Sequence, residues 1–358
     1  SQRGLQRLLQ KTGKFPSVQL ILTPLSGRRS IVIERFTSYS FNSSILIPVD
    51  TFNFTFAAPD SKEPMNRLIK PGDIVLLQAN GVTLATGLID STEVETDAEF
   101  GEKATITGRD LLCQLEDQSA VSVDMLPIWA NQYTIRSAVN RLLENTRIKG
   151  LVTRDAPRAS YLFASEPGES KLSALQRFLE PLNCLAWMNP DGRLVVGRPN
   201  MSQTPKGRLL LSKEKRDSNV LSMRTIRNEA LIPNIAVPIW SGQEATQARI
   251  TPEQILNNWA SGPDRLRKLG HRLPKTIVVS APNAADAQGL SGVNQIRAGG
   301  SNLLQAYAKR EIARQNQREM IVQCVVAGHY NDEGEPFQVD QVYNIEYDRG
   351  DVAEKMYL

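Results

Sequence analysis

The sequence predicts an α+β protein that is mainly β, with strand-rich ends flanking a helical middle. Three observations predict it. In "TFNFTFAAP" Phe52, Phe54 and Phe56 alternate with Thr51, Asn53 and Thr55, the period of two that marks a half-buried strand. In "YTIRSAVNRLLENTRI" and "ESKLSALQRFLEPLN" the apolar residues instead recur at helical spacing. After about residue 320 strand texture returns, in "IVQCVVAG" and "PFQVDQVYNIEYDRGDVAEKMYL".

Taken in order, "SVQLILTPLSGRRSIVIERFTSYSF" holds two strand-like runs around a Ser26-Gly27 turn. In "KPGDIVLLQANGVTLATGLIDSTEV" Pro71-Gly72 breaks the chain, Ile74 to Leu77 run extended, and Asn80-Gly81 is a strong hairpin signal. Short strands with turns every 8–12 residues indicate a small antiparallel barrel or sandwich. After Asp110 the first helix presents Ile135, Ala138, Val139, Leu142 and Leu143 on one face, with Thr134 as N-cap. The second presents Leu172, Leu175, Phe178, Leu179 and Leu182, capped by Ser170. "CLAWMNPDGRLVVGRP" then reads as a hairpin turning at Asn189-Pro190-Asp191-Gly192. Residues 205–240 are β but broken by Pro233 and Pro238. Residues 241–300 are irregular, with a short helix possible at Pro252 to Trp259, the pattern of an inserted domain or functional loop. "SNLLQAYAKREIARQNQREM" is an amphipathic helix. Asp340-Gln341-Val342 before the Arg349-Gly350 turn echoes Asp73-Ile74-Val75 before Gly81, which suggests one β unit used twice.

At 358 residues the chain exceeds a single growing core, and two to four domains are expected. A formal charge of +4 is too weak to diagnose nucleic-acid binding, and no block of five like charges exists. Cys113, Cys184 and Cys324 share no CxxC spacing, which argues against a disulfide framework or zinc site and suits a reducing cytoplasm. Each lies in an apolar run, so buried, unreactive thiols are expected. The longest apolar runs, such as "IVLL", are too short to span a membrane, and the basic N-terminal stretch lacks an apolar signal core.

The chemistry-bearing residues are sparse. His271 and His329 stand in unrelated contexts, and no GxSxG, P-loop, HExxH or GxGxxG after a strand is present. "YNDEGE" misses the calcium-loop spacing and reads as a solvated turn. Aromatics make up 6% and do not interleave with basic residues, so Trp129, Trp187, Trp240 and Trp259 read as core or interface anchors. No cofactor or metal site is expected. A pair of carboxylates meeting in the fold stays open, because sequence spacing cannot exclude it. The distinctive local feature is "ITGRDLLCQLEDQSA", where a strand alternation ends in Gly108-Arg109-Asp110 ahead of an acidic tail at Asp117.

Four stretches in order resemble the hub proteins of contractile phage tail baseplates, closest to the tail proteins of Mu-like phages and prophages and more distantly the T-even phage hub and the base of the type VI secretion spike. They are "GVTLATGLIDSTEV…ATITGRDLLCQLEDQSA", "YTIRSAVNRLLENTRI", "KLSALQRFLEPLNCLAWMNPDGRLVVGRP" and "AYAKREIARQNQREMIVQCVVAGH". The resemblance implies two similar β-barrels per chain. They would occupy residues 15–110 and, discontinuously, 201–240 plus 320–358. An α/β module would fill 111–200, and an inserted domain with its connecting helix 241–319. It implies a homotrimer in the virion, assembled in the host cytoplasm. Its partners would be the central spike protein, the tail tube or tube-initiator protein and baseplate wedge proteins, with DNA only as transiting cargo. A further strand would be expected after Leu358. Gly108, Arg109, Asp110 and Asp117 are then expected to form a structural clamp where the first barrel ends. The alternatives are a tail-associated cell-wall hydrolase, which a zymogram on peptidoglycan would reveal, and an OB-type nucleic-acid-binding barrel, which a salt-dependent titration with single-stranded DNA would reveal.

Overall fold

The computed structural model of the protein describes residues 18–27, 29–57, 65–97, 101–120, 130–156, 160–166, 168–182, 184–200, 202–212, 218–227, 235–240, 260–261, 276–281, 320–326, 328–331, 333–347 and 352–358. The helices expected at 252–259 and 301–319, together with His271 and Trp129, lie outside the described residues.

The first unit comprises β1 (Val18–Thr23), β2 (Ile31–Ile33), β3 (Ser38–Asn42), β4 (Thr51–Ala57), the single helical turn α1 (Met65–Leu68), β5 (Ile74–Ala79), β6 (Val82–Asp97) and β7 (Gly101–Asp110). Its strands form one antiparallel sheet in the order β2-β1-β5-β6-β7-β4-β3. The alternation read from the sequence is what lines its inner face. Phe54, Phe56, Leu20 and Ile106 are fully buried, and Phe52, Leu22, Val75, Leu77 and Ile89 nearly so, in one continuous core. The sheet curls around that core as a half-barrel. Among the described residues it stays open, because closure would require β2 to pair with β3 and β2 is only three residues long. The Asn80-Gly81 turn carries positive φ at both residues (51° and 78°), the backbone that suits a tight hairpin to the sheet twist.

Next come α2 (Cys113–Asp117), β8 (Ala130–Thr134), α3 (Ile135–Leu143), β9 (Leu151–Arg154), β10 (Ser160–Ala164), α4 (Lys171–Leu179), β11 (Leu185–Met188) and β12 (Leu194–Gly197). Both helices start where their caps predict. Thr134 Oγ1 accepts the Ser137 N–H while the Ser137 hydroxyl oxygen accepts the Thr134 N–H, and Ser170 accepts the Ser173 N–H. The faces they bury, Ala138, Val139 and Leu142 with Leu175, Phe178 and Leu179, join Leu112, Leu115, Leu194 and Val196 in a second core. The expected β11–β12 hairpin is present. It is extended by β9 running parallel to β12, and β8 pairs with β10, two additions that periodicity did not show.

The remaining strands are β13 (Arg208–Leu211), β14 (Val220–Arg227), β15 (Ile235–Trp240), β16 (Ala260–Ser261), β17 (Thr276–Ala281), β18 (Met320–Val326), β19 (Val342–Tyr347) and β20 (Val352–Tyr357). Segments far apart in the sequence meet here. β13 runs parallel to β19, which pairs with β20, and β14 pairs with β18. Leu209, Val220, Tyr343 and Ile345 form their shared core. β15 pairs antiparallel with β16 and parallel with β17 in a separate sheet.

The thiol expectation needs one correction: Cys113 and Cys184 are buried, whereas Cys324 is only partly covered. Burial pushes the Cys113 thiol up to about 12. A thiol reagent added to the native protein should therefore leave Cys113 and Cys184 unlabelled while Cys324 reacts slowly, as mass spectrometry of the peptides would show.

Candidate functional site

The four residues singled out at the end of the first unit split into two sites on opposite sides of one strand. Successive side chains of a strand point to opposite faces, so Arg109 and Asp110 cannot share a partner. Arg109 turns outward. Its Nε and Nη2 donate to the two carboxylate oxygens of Asp90 at 2.7 and 3.0 Å. Nη1 and Nη2 also donate to Asp117 at 3.1 and 2.8 Å, and Nη1 donates to Glu116 at 2.8 Å. One guanidinium thus joins β6, β7 and α2. Asp90 is in reach because it sits in a bulge: the β6–β7 register shifts between Ile89 and Ser91, and the extra residue is re-aimed. The paired carboxylates hold Arg109 in its charged form.

Gly108 serves a packing need. A Cβ there would stand 2.2 Å from the Leu88 carbonyl oxygen and 2.3 Å from the Phe52 ring. Across the sheet Gly87 makes the same allowance, since a Cβ on it would meet the Arg109 carbonyl oxygen at 2.3 Å and Phe52 at 2.9 Å. Phe52 lies over a glycine floor that no larger residue leaves open.

Asp110 turns inward and is 2% exposed. The Leu112 N–H donates to its Oδ1 at 2.9 Å, and its own N–H donates to the Asp50 carbonyl at 2.9 Å. Its Oδ2 has no hydrogen-bond partner among the described residues. Asp50 stands nearby, with its carboxylate accepting the Ser43 hydroxyl at 2.8 Å and the Ser44 N–H at 3.3 Å. Burial, reinforced by Asp50, raises the Asp110 carboxyl well above the usual range, and burial raises Asp50 to about 6. A buried carboxyl pair of this kind is the raw material of general acid catalysis.

Asp50 and Asp110 border a cleft of about 670 Å³ where the three parts of the chain meet. Several contacts tie its walls together. The Thr86 hydroxyl donates to the Pro190 carbonyl at 2.8 Å, and Tyr39 hydrogen-bonds His329 Nε2. Ile45 packs on Trp187 and Val195, and Tyr330 on Ala79. Arg154 pairs with the buried Asp340 and stacks over Trp187. Among the described residues no three His, Cys, Asp or Glu side chains converge on a metal position, and no helix is long and apolar enough to cross a membrane.

Asp50, Asp90 and Arg154 were not anticipated, Asp340 was marked only as part of the repeat echo and Glu116 only within the acidic tail. Asp90 left a trace of its own, since "GLIDSTEV" breaks the period of two at Ile89-Asp90-Ser91. Because Asp90, Glu116 and Asp117 are all substantially solvated, Arg109→Ala should cost only about 1–3 kcal/mol, with the loss shrinking in molar salt. Urea unfolding at two ionic strengths would measure it.

Residues 31–110 match the family model described as Mu phage baseplate assembly protein GpP-like, N-terminal. A sequence search of curated proteins finds no match. Among solved structures, the tail protein from Neisseria meningitidis MC58 has a TM-score of 0.72 at 19% identity, covering 96% of this chain and 90% of that one. The 43 kDa tail protein of prophage MuSo2 from Shewanella oneidensis has a TM-score of 0.67 at 16% identity, covering 96% and 91%. The first β unit is thus similar in sequence to the N-terminal domain of GpP-like Mu phage baseplate assembly proteins, and the chain has the fold of these two tail proteins.

Proposed function

We propose that the protein is a structural hub of a contractile phage tail baseplate: a trimeric ring that adapts a six-fold tail tube to a three-fold spike and leaves a channel for DNA. The observation that carries this reading is the match of residues 31–110 to a baseplate assembly domain, within a chain whose whole fold is shared with phage tail proteins. The symmetry argument supports the ring. A six-fold and a three-fold partner share a closed interface only through a layer that offers six near-equivalent faces from three chains, and two β units per chain supply them. Exposed apolar side chains support an assembled state. Leu221, Val325 and Ile321 show 66%, 56% and 44% of their surface on β14 and β18, and Leu46 and Ile47 project from the loop before β4.

In this reading the tail tube or its initiator, the central spike and the wedge proteins are the partners, and DNA passes through without being read. Gly108, Arg109, Asp110 and Asp117 act as a structural clamp, with Arg109 fastening the last strand of the first unit to α2. Light scattering across a concentration series tests the assembly. The expected mass is three times the 39.8 kDa chain, or a concentration-dependent shift toward it. A constant single-chain mass would count against the ring.

A further inference from the structure

We propose that the cleft floored by Asp50 and Asp110 is a binding site for an alkyl-guanidinium or alkyl-ammonium group, the chemistry of an arginine or lysine side chain. The inference stands on the geometry of the cleft and is independent of the oligomeric reading.

Two neighbouring carboxyl groups border the cleft, and among the described residues neither is in an ion pair. The one cation next in sequence, Arg109, is committed on the opposite face of β7 to Asp90, Glu116 and Asp117. Two cations line the cleft: Arg154 is held by Asp340 and by the Trp187 ring, and Lys206 is exposed and forms no ion pair with Asp50 or Asp110 among the described residues. Asp110 Oδ2 is buried, without a hydrogen-bond partner among the described residues, and on a side chain that borders the cleft. A buried acceptor left this way is unfavourable, more so when charged, and a donor group on a ligand recovers that cost.

The walls choose among donors. Tyr39, Phe41, Trp187 and Met188 line the same space and offer aromatic and thioether surface to an alkyl stem. A bare divalent ion is a poorer match, because no third carboxylate, histidine or cysteine joins the pair among the described residues. A planar guanidinium can hydrogen-bond both carboxylates while its stem packs on the rings.

Calorimetric titration of the full-length protein with n-butylguanidinium tests this, with n-butylurea as the uncharged counterpart. Saturable binding is expected, weakened at least about tenfold by Asp110→Asn and by Asp50→Asn and unaffected by Glu95→Gln on the exposed strand end. Asparagine is isosteric with aspartate, so both variants should fold, and their melting curves would verify it. Equal binding of butylurea, unchanged affinity in both aspartate variants, or no binding of butylguanidinium would each overturn the proposal. An acetyl-Gly-Arg-Gly-amide peptide separates the sources. Binding about tenfold tighter than butylguanidinium assigns the site to a partner chain's arginine, and equal binding assigns it to a free amine or guanidine.

Discussion

Gly108→Ala is expected to be the most damaging single substitution in the first β unit, lowering stability by about 3 kcal/mol or more. The added methyl would overlap the Leu88 carbonyl oxygen, at 2.2 Å, and the Phe52 ring, at 2.3 Å. The ring could shift at the expense of core packing, but the carbonyl belongs to β6, which is paired with β7 on this very stretch. Moving it breaks ladder hydrogen bonds, and Phe52 is 5% exposed with Gly87 closing the other side. The backbone contact makes the prediction specific. Phe52→Ala should not rescue Gly108→Ala, because removing the ring leaves the carbonyl in place. A double-mutant cycle by urea unfolding would check this, and restoration of stability in the double variant would assign the cost to the ring alone.

A second large effect is expected from Asp110→Asn, with a sign that depends on pH. Asp110 and Asp50 both have folded-state pKa values raised above the ordinary carboxylate value, Asp50 from 3.8 to about 6. A raised acid favours its neutral form in the folded protein. Its contribution is fully present below the unfolded pKa and is lost as pH rises through the folded one. For Asp50 that difference corresponds to roughly 3 kcal/mol. The native protein should therefore lose stability between about pH 4 and pH 7 at this site. Asp110→Asn keeps a carbonyl oxygen for the Leu112 N–H and never ionises. It should match the native protein near pH 4 and exceed its melting temperature at pH 8. A uniform loss across the range would show that the carboxylate itself is needed.

Much of this fold was legible because it is local. The Phe52, Phe54, Phe56 alternation, the caps at Thr134 and Ser170 and the Asn80-Gly81 turn each depend on a few adjacent residues, and each appears where the sequence places it. What stayed hidden is long-range pairing. The parallel contact of β9 with β12, the pairing of β8 with β10, and the pairing of β15 with β17 have no periodicity of their own. The Gly108-Arg109-Asp110 motif was read as one group. The period of two in "ATITGRD" already sends Arg109 and Asp110 to opposite faces. The partners of each, Asp90 in its bulge and Asp50 across the strand pair, come from the tertiary fold. The cleft followed the same logic: its walls come from three parts of the chain, so no single stretch could announce it.

The assembly is the central claim, and a projection down the symmetry axis tests it most directly. Electron-microscopy class averages of the purified protein, at concentrations where scattering shows association, should display a ring with three-fold symmetry and six β lobes around an open channel. Three lobes, a two-fold particle, or a closed centre would contradict the account.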